Sequence, residues 1–156
     1  MLAESLPAVS KDGLSYTIPL RKGVKFHNGR DLTADDVVAS LQRWMELSPR
    51  GKAVGKEVAS LTAKGPLSVE LKLKNPYAPL LAQLALPSGM AAIMAKDSIA
   101  PQLKEFIGTG PYKFKERRPD QFTVLTRYEG YAARKEPASG YAGKREAVLD
   151  LSLIHI

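Results

Sequence analysis

The segment over residues 33–47 constrains the fold most, because it combines a capped start, helical periodicity and a sharp end. Thr33 is followed three residues later by Asp36, a variant of the capping box in which Asp replaces the usual Glu or Gln. Pro49 and Gly51 close the run after Leu47. Apolar residues recur between these limits at helical spacing, namely Val37, Val38, Leu41, Trp44 and Met45. The sequence therefore predicts an amphipathic helix with one buried face.

Segments with period-two alternation flank this helix and predict short strands. Residues 15–20 alternate apolar and polar side chains, and Pro19 favours a position at the edge of a sheet. Residues 58–63 and 69–74 lie on either side of Gly65 and Pro66, as in an antiparallel hairpin. The remaining predicted elements are a helix over 80–86, a buried strand over 91–94, a helix over 98–106, strands over 112–117 and 122–128, and an irregular stretch over 130–145. This order predicts a mixed α+β fold.

The composition fits one domain or a lobe of a larger one, since 156 residues with 44% apolar content can fill an ordinary core. The absence of cysteine excludes disulfides, thiol nucleophiles and thiolate metal sites. A net charge of +7 raises a basic nucleic-acid-binding module as the alternative function. The Lys and Arg residues are scattered, however, and mostly alternate with apolar positions, which is typical of a solvated surface.

No enzyme motif is present in the chain. His27 lies beside a turn and His155 near the end, a spacing that does not indicate a metal pair. Asp35 and Asp36 are adjacent and point in different directions on the predicted helix, so they suit the helix dipole better than acid and base catalysis. We therefore expect no catalytic residues, no metal site and no cofactor.

Four blocks of sequence, in order, carry a family resemblance. They are Leu2-Ala3-Glu4-Ser5, Gly13-Leu14-Ser15-Tyr16-Thr17, the run from Leu20-Arg21-Lys22-Gly23-Val24-Lys25-Phe26-His27-Asn28-Gly29 to Leu32-Thr33-Ala34-Asp35-Asp36-Val37-Val38, and Gly108-Thr109-Gly110-Pro111-Tyr112-Lys113-Phe114 with Arg127-Tyr128-Glu129-Gly130-Tyr131. Together they resemble the family 5 extracellular solute-binding proteins over about residues 2–150. The departures are Leu6, where the family usually has Trp, and residues 131–133, where a Tyr-Trp pair is common.

This resemblance implies a partial type II periplasmic-binding-protein-like fold, in a longer protein of two lobes with an extra subdomain on the first. Residues 1–107 would be that subdomain and residues 108–150 the return into the first lobe, with the second lobe absent from this chain. Residues 151–156 are apolar where the family would continue with a strand of charged and apolar residues. They resemble a translated sequencing adaptor and are expected to be a non-native tail, the alternative being a genuine strand.

The resemblance also implies the function and the site. We expect the substrate-binding component of an ABC importer in the periplasm, with a di- or oligopeptide as solute, inner-membrane permease subunits as partners and no nucleic acid. Nickel chelates, opines and sugars are the alternative solutes. The family sends two loops toward the cleft, matching residues 48–52 and 88–90. The candidate ligand-binding residues are Arg50, Gly51, Ser88, Gly89 and Met90. A guanidinium suits a ligand carboxylate, and a hydroxyl and open backbone suit hydrogen bonds.

Overall fold

A four-stranded antiparallel sheet forms the first half of the fold. The computed structural model of the chain describes residues 2–140 and 142–155. The order in this sheet is β1 (Ala8–Val9), β2 (Ser15–Pro19), β4 (Ser68–Leu73) and β3 (Val58–Ala63). The hairpin of β3 and β4 confirms the sequence prediction. The expected edge position of β2 is wrong, because β2 lies between β1 and β4. Pro19 is tolerated there because β1 pairs only with Tyr16 and Thr17 and stops short of it.

Helix α1 (Ala34–Leu47) covers this sheet and confirms the predicted amphipathic helix. Val37, Leu41 and Trp44 are buried in one core with the apolar side chains of β4. Burying each such side chain contributes roughly 1.5–3 kcal/mol. The capping box is present, with the Thr33 backbone N–H donating to Asp36 Oδ2 at 2.9 Å. The start of α1 is thus fixed by hydrogen bonds and its length by packing.

A second helix, α2 (Pro49–Glu57), follows α1 directly. The expectation that residues 48–52 form a loop is therefore wrong. Pro49 is the first residue of α2, where a missing N–H breaks no helical hydrogen bond. Gly51 is buried against α1, and a Cβ at this position would lie 2.0 Å from the Trp44 carbonyl oxygen. Only glycine allows the two helices to approach so closely.

Residues 80–111 contain little regular structure. Helix α3 (Leu80–Ala85) confirms one prediction. The predicted strand over 91–94 is wrong, because Met94 exchanges both backbone hydrogen bonds with the Ser40 hydroxyl, at 2.9 and 3.1 Å, and not with another strand. The predicted helix over 98–106 is also wrong, since only a short 3₁₀ turn forms at Lys96–Ser98. Pro101 disfavours helical backbone at the preceding residue, so a helix cannot run through it easily.

The second sheet is antiparallel, in the order β5 (Tyr112–Arg118), β6 (Phe122–Arg127) and β7 (Leu151–His155). β5 and β6 confirm the predicted pair, and Asp120 has φ of 58° in the turn between them. β7 lies in the segment that we expect to be a non-native tail, and it pairs with β6. The origin of that segment stays a prediction. Its last residue, Ile156, lies outside the described residues, as do Met1 and Tyr141.

His27 and Tyr128 join the first sheet to the second. Gly108 N–H lies 3.3 Å from His27 Nδ1, and Gly110 O lies 3.1 Å from His27 Nε2. The Tyr128 hydroxyl donates to Phe26 O at 2.7 Å, and its ring packs edge-on against His27. Both His27 contacts are satisfied by the neutral ring with its proton on Nε2. Gly108 and Gly110 of the family-like turn are therefore held by the side chain of His27.

Candidate functional site

An open groove of about 440 Å³ lies where the end of α1 faces residues 87–94. Its walls combine apolar side chains with a few polar groups. The lining residues are Ser40, Arg43, Trp44, Leu47, Ser48, Pro87, Gly89, Met90, Ala92 and Met94. A concave surface of this kind is the usual form of a small-molecule site.

The indole of Trp44 holds the turn at residues 88–89 against α1. Trp44 is only 6% exposed, as predicted for a core residue, and its Nε1–H donates to Gly89 O at 2.8 Å. A buried indole N–H needs an acceptor, and here that acceptor belongs to the turn at 88–89. Gly89 has φ of +60°, a left-handed conformation that glycine adopts without strain. The turn is thus tied to α1 by one hydrogen bond.

The two candidate segments, residues 48–52 and 88–90, meet next to the turn that Trp44 binds. Arg50 lies in the first turn of α2, is half-buried, and donates from Nη1 to Ser88 O. A Cβ on Gly89 would lie 3.8 Å from Ser48 Oγ. Residues 48–52 and 88–90 therefore approach each other, as a shared ligand would require.

The other predicted residues differ in what they offer a ligand. Ser88 and Gly89 are exposed, and Met90 is 57% exposed although methionine at such a position is more often part of a core. Gly51 is buried between α1 and α2 and presents no open backbone. Gly89 and Met90 line the groove itself, whereas Arg50 and Ser88 contact each other and are not among its lining residues.

Arg43 also lines the groove and was missed by the sequence analysis. Ser40, Arg43 and Leu47 follow one another at intervals of three and four residues, so they share a face of α1. That spacing, beside the face that carries Trp44, was the available signal.

A buried carboxylate fixes the chain two residues after Met94, the last residue of the groove lining. Asp36 is fully buried, and its Oδ1 accepts the Lys96 backbone N–H at 2.9 Å. Burial opposes its ionisation, but hydrogen bonds from Arg30, Lys96 and Thr33 outweigh burial and keep the pKa of Asp36 below its ordinary value. Asp36 thus fastens residues 94–96 to the start of α1.

These features occur in a sequence that matches the model of the bacterial extracellular solute-binding proteins, family 5 Middle, over residues 1–146. The chain belongs to this family. A curated relative is the probable peptide ABC transporter periplasmic-binding protein y4tO of Sinorhizobium fredii, 33% identical over 147 residues, which are 91% of this chain and 28% of the relative. Another is the glutathione-binding protein GsiB of Escherichia coli (strain K12), 33% identical over 137 residues, 84% of this chain and 26% of that protein.

Solved structures agree with the family match. The periplasmic binding protein DppA from Helicobacter pylori, in complex with peptide STSA, has a TM-score of 0.75 and 27% identity over 99% of this chain and 33% of that one. The predicted mixed α+β, partial periplasmic-binding-protein fold is therefore confirmed. The chain spans little more than a quarter of the length of the curated relatives that it matches.

Family membership also bears on the alternative functions. These family 5 relatives are transport-associated binding proteins and not enzymes, and nothing supports a nucleic-acid-binding module. Over residues 2–140 and 142–155 there is no group of three potential metal ligands. Within the same ranges, no helix has the length and apolar character needed to cross a membrane.

Proposed function

We propose that this chain is part of the substrate-binding component of an ABC importer, which captures small peptides in the periplasm and delivers them to permease subunits of the inner membrane. The groove between the end of α1 and residues 87–94 would form one side of the solute site. A second lobe of the longer protein would close over the other side, since binding in two-lobed proteins shifts an equilibrium between open and closed forms.

One observation carries this proposal, the contact between the two candidate segments. Arg50 reaches Ser88 O, and Trp44 reaches Gly89 O, so the end of α1, the start of α2 and the turn at 88–89 form one surface. A single solute bound on this surface would contact all three. Arg50 uses one guanidinium nitrogen for Ser88 O, which leaves other N–H donors for a carboxylate.

The peptide is favoured as solute by the first curated relative, a probable peptide-binding protein, and by the DppA complex with a peptide. Glutathione, the solute in the name of another relative, is itself a small peptide with free carboxylates. Nickel chelates, opines and sugars are the competing solutes within the family.

Calorimetric titration of the complete protein with a dipeptide library tests the proposal. We expect dissociation constants in the micromolar range or below for a subset of dipeptides. Replacement of Arg50 by Ala is expected to weaken the best of them by roughly 1.5–3 kcal/mol, the scale of a charge-assisted hydrogen bond. Replacement of Lys22, an exposed cation remote from the groove lining, is the control and should change nothing. Failure of every dipeptide to bind, with binding of a nickel chelate or sugar instead, would contradict the peptide assignment.

A further inference from the structure

Arg43 lines the groove, and among the described residues it has no counterion. Its side chain is half-buried on α1 and lines the groove beside Trp44. Among the described residues, its guanidinium takes part in no hydrogen bond or ion pair, and Glu46, one helical turn further on, forms no ion pair with it. A partly buried arginine that has lost some of its water and found no partner gains from any anion that enters.

The other charges around the groove do not neutralise Arg43. No Asp or Glu is among the lining residues. Arg30 forms an ion pair with the buried Asp36, and Arg50, which is not among the lining residues, donates one N–H to Ser88 O and keeps its charge. Arg43 is therefore the cation within the groove lining, and its charge is not neutralised there. A planar guanidinium matches a carboxylate through two parallel N–H···O bonds, which a sugar hydroxyl does not offer.

The surface next to this charge is apolar and exposed. Leu47 is 55% exposed and Met90 57% exposed, and both line the groove together with Met94. Methionine side chains adapt their shape to different apolar partners. A ligand that satisfies both features has a carboxylate and, within one residue of it, an apolar side chain.

We propose that Arg43 binds a carboxylate of the solute while Leu47, Met90 and Met94 contact the adjoining apolar side chain. This inference rests on the proposed function and names the substrate class of the same site. The ligand is the C-terminal end of a peptide with an apolar last residue. Carboxylates of a metal chelate offer the same charge, so the test has to separate these two sources.

The test compares each dipeptide with its C-terminal amide, which lacks the carboxylate charge. The complete protein is titrated by calorimetry with Ala-Leu, Ala-Met and Ala-Phe, with their C-terminal amides, and with the nickel complex of histidine. The same titrations are made with Arg43→Gln and with Lys22→Gln, which removes one positive charge away from the groove. We expect amidation to weaken binding at least about 10-fold and Arg43→Gln to remove most of that difference, because a charge-assisted hydrogen bond accounts for about that factor.

The outcomes separate this inference from the proposed function. If the free dipeptides and their amides bind with equal affinity, the role of Arg43 is overturned, but the proposal of peptide capture is not. The same holds if Lys22→Gln removes the preference for the free carboxylate as Arg43→Gln does. Binding of the nickel complex alone, lost in Arg43→Gln, overturns the peptide end as ligand. Absence of binding by every probe overturns both proposals. Loss of the acid preference in Arg43→Gln alone, with amide affinity unchanged, supports the inference.

Discussion

Replacement of Asp36 should destabilise the chain more than replacement of any exposed carboxylate. Asp36 is fully buried and accepts hydrogen bonds from the Thr33 backbone at 2.9 Å, the Thr33 hydroxyl at 2.7 Å and the Lys96 backbone at 2.9 Å, besides its ion pair with Arg30. Asp36→Ala leaves these donors unpaired. Breaking a buried ion pair costs about 3–5 kcal/mol. The Arg30 side chain is 31% exposed and can recover some water, so the lower end, about 3 kcal/mol, is expected.

Urea denaturation of Asp36→Ala and Asp35→Asn measures this difference. Asp35 is 64% exposed and 3.6 Å from Lys96 Nζ, and such surface pairs contribute at most about 1 kcal/mol. The pKa of Asp36 is lowered in the folded chain, so the unfolded chain binds its proton more readily. Its contribution is therefore complete above the ordinary Asp value of about 3.9 and is lost as the pH falls below it. Equal unfolding free energies for the two variants would refute this reasoning.

Three further predictions concern the helices and the isolated chain. Gly51→Ala should cost more than about 2 kcal/mol through overpacking against Trp44 O, while Gly55→Ala, which meets only the Met45 side chain at 3.2 Å, should be near neutral by urea denaturation. Trp44→Phe should lower the free energy of unfolding by about 1–2 kcal/mol, because Gly89 O loses its donor. Amide hydrogen exchange should then become faster at residues 88–90. Unchanged exchange there would contradict the role of this hydrogen bond in holding the turn. The isolated chain should bind no dipeptide with micromolar affinity in calorimetry, since one wall of a cleft retains little buried contact; micromolar binding would refute this.

The sequence predicted the elements whose cause is local. The Thr33 and Asp36 spacing located the start of α1, and period-two alternation located the β3 and β4 hairpin. One failure has a non-local cause. Residues 91–94 form no strand, because Ser40, more than fifty positions earlier, satisfies the backbone of Met94. The helix over residues 49–57 was missed because Gly51 and Gly55 disfavour a helix, and the packing of Gly51 on Trp44 O is a contact that no periodicity shows.

The candidate site was likewise predicted only in part. The resemblance selected residues 48–52 and 88–90, and the structure places them in contact. Arg43 was missed because its position in the groove depends on where residues 87–94 run. Their course is set by the hydrogen bonds of Trp44 with Gly89, Ser40 with Met94, and Asp36 with Lys96.

The central claim is that a solute binds in the groove between α1 and residues 87–94. A crystal structure of the complete protein with a bound dipeptide tests it most directly. We predict solute atoms within hydrogen-bonding distance, about 3.2 Å or less, of Arg43 or Arg50 and in van der Waals contact with Met90. A dipeptide enclosed elsewhere, with this groove filled only by solvent, would contradict it.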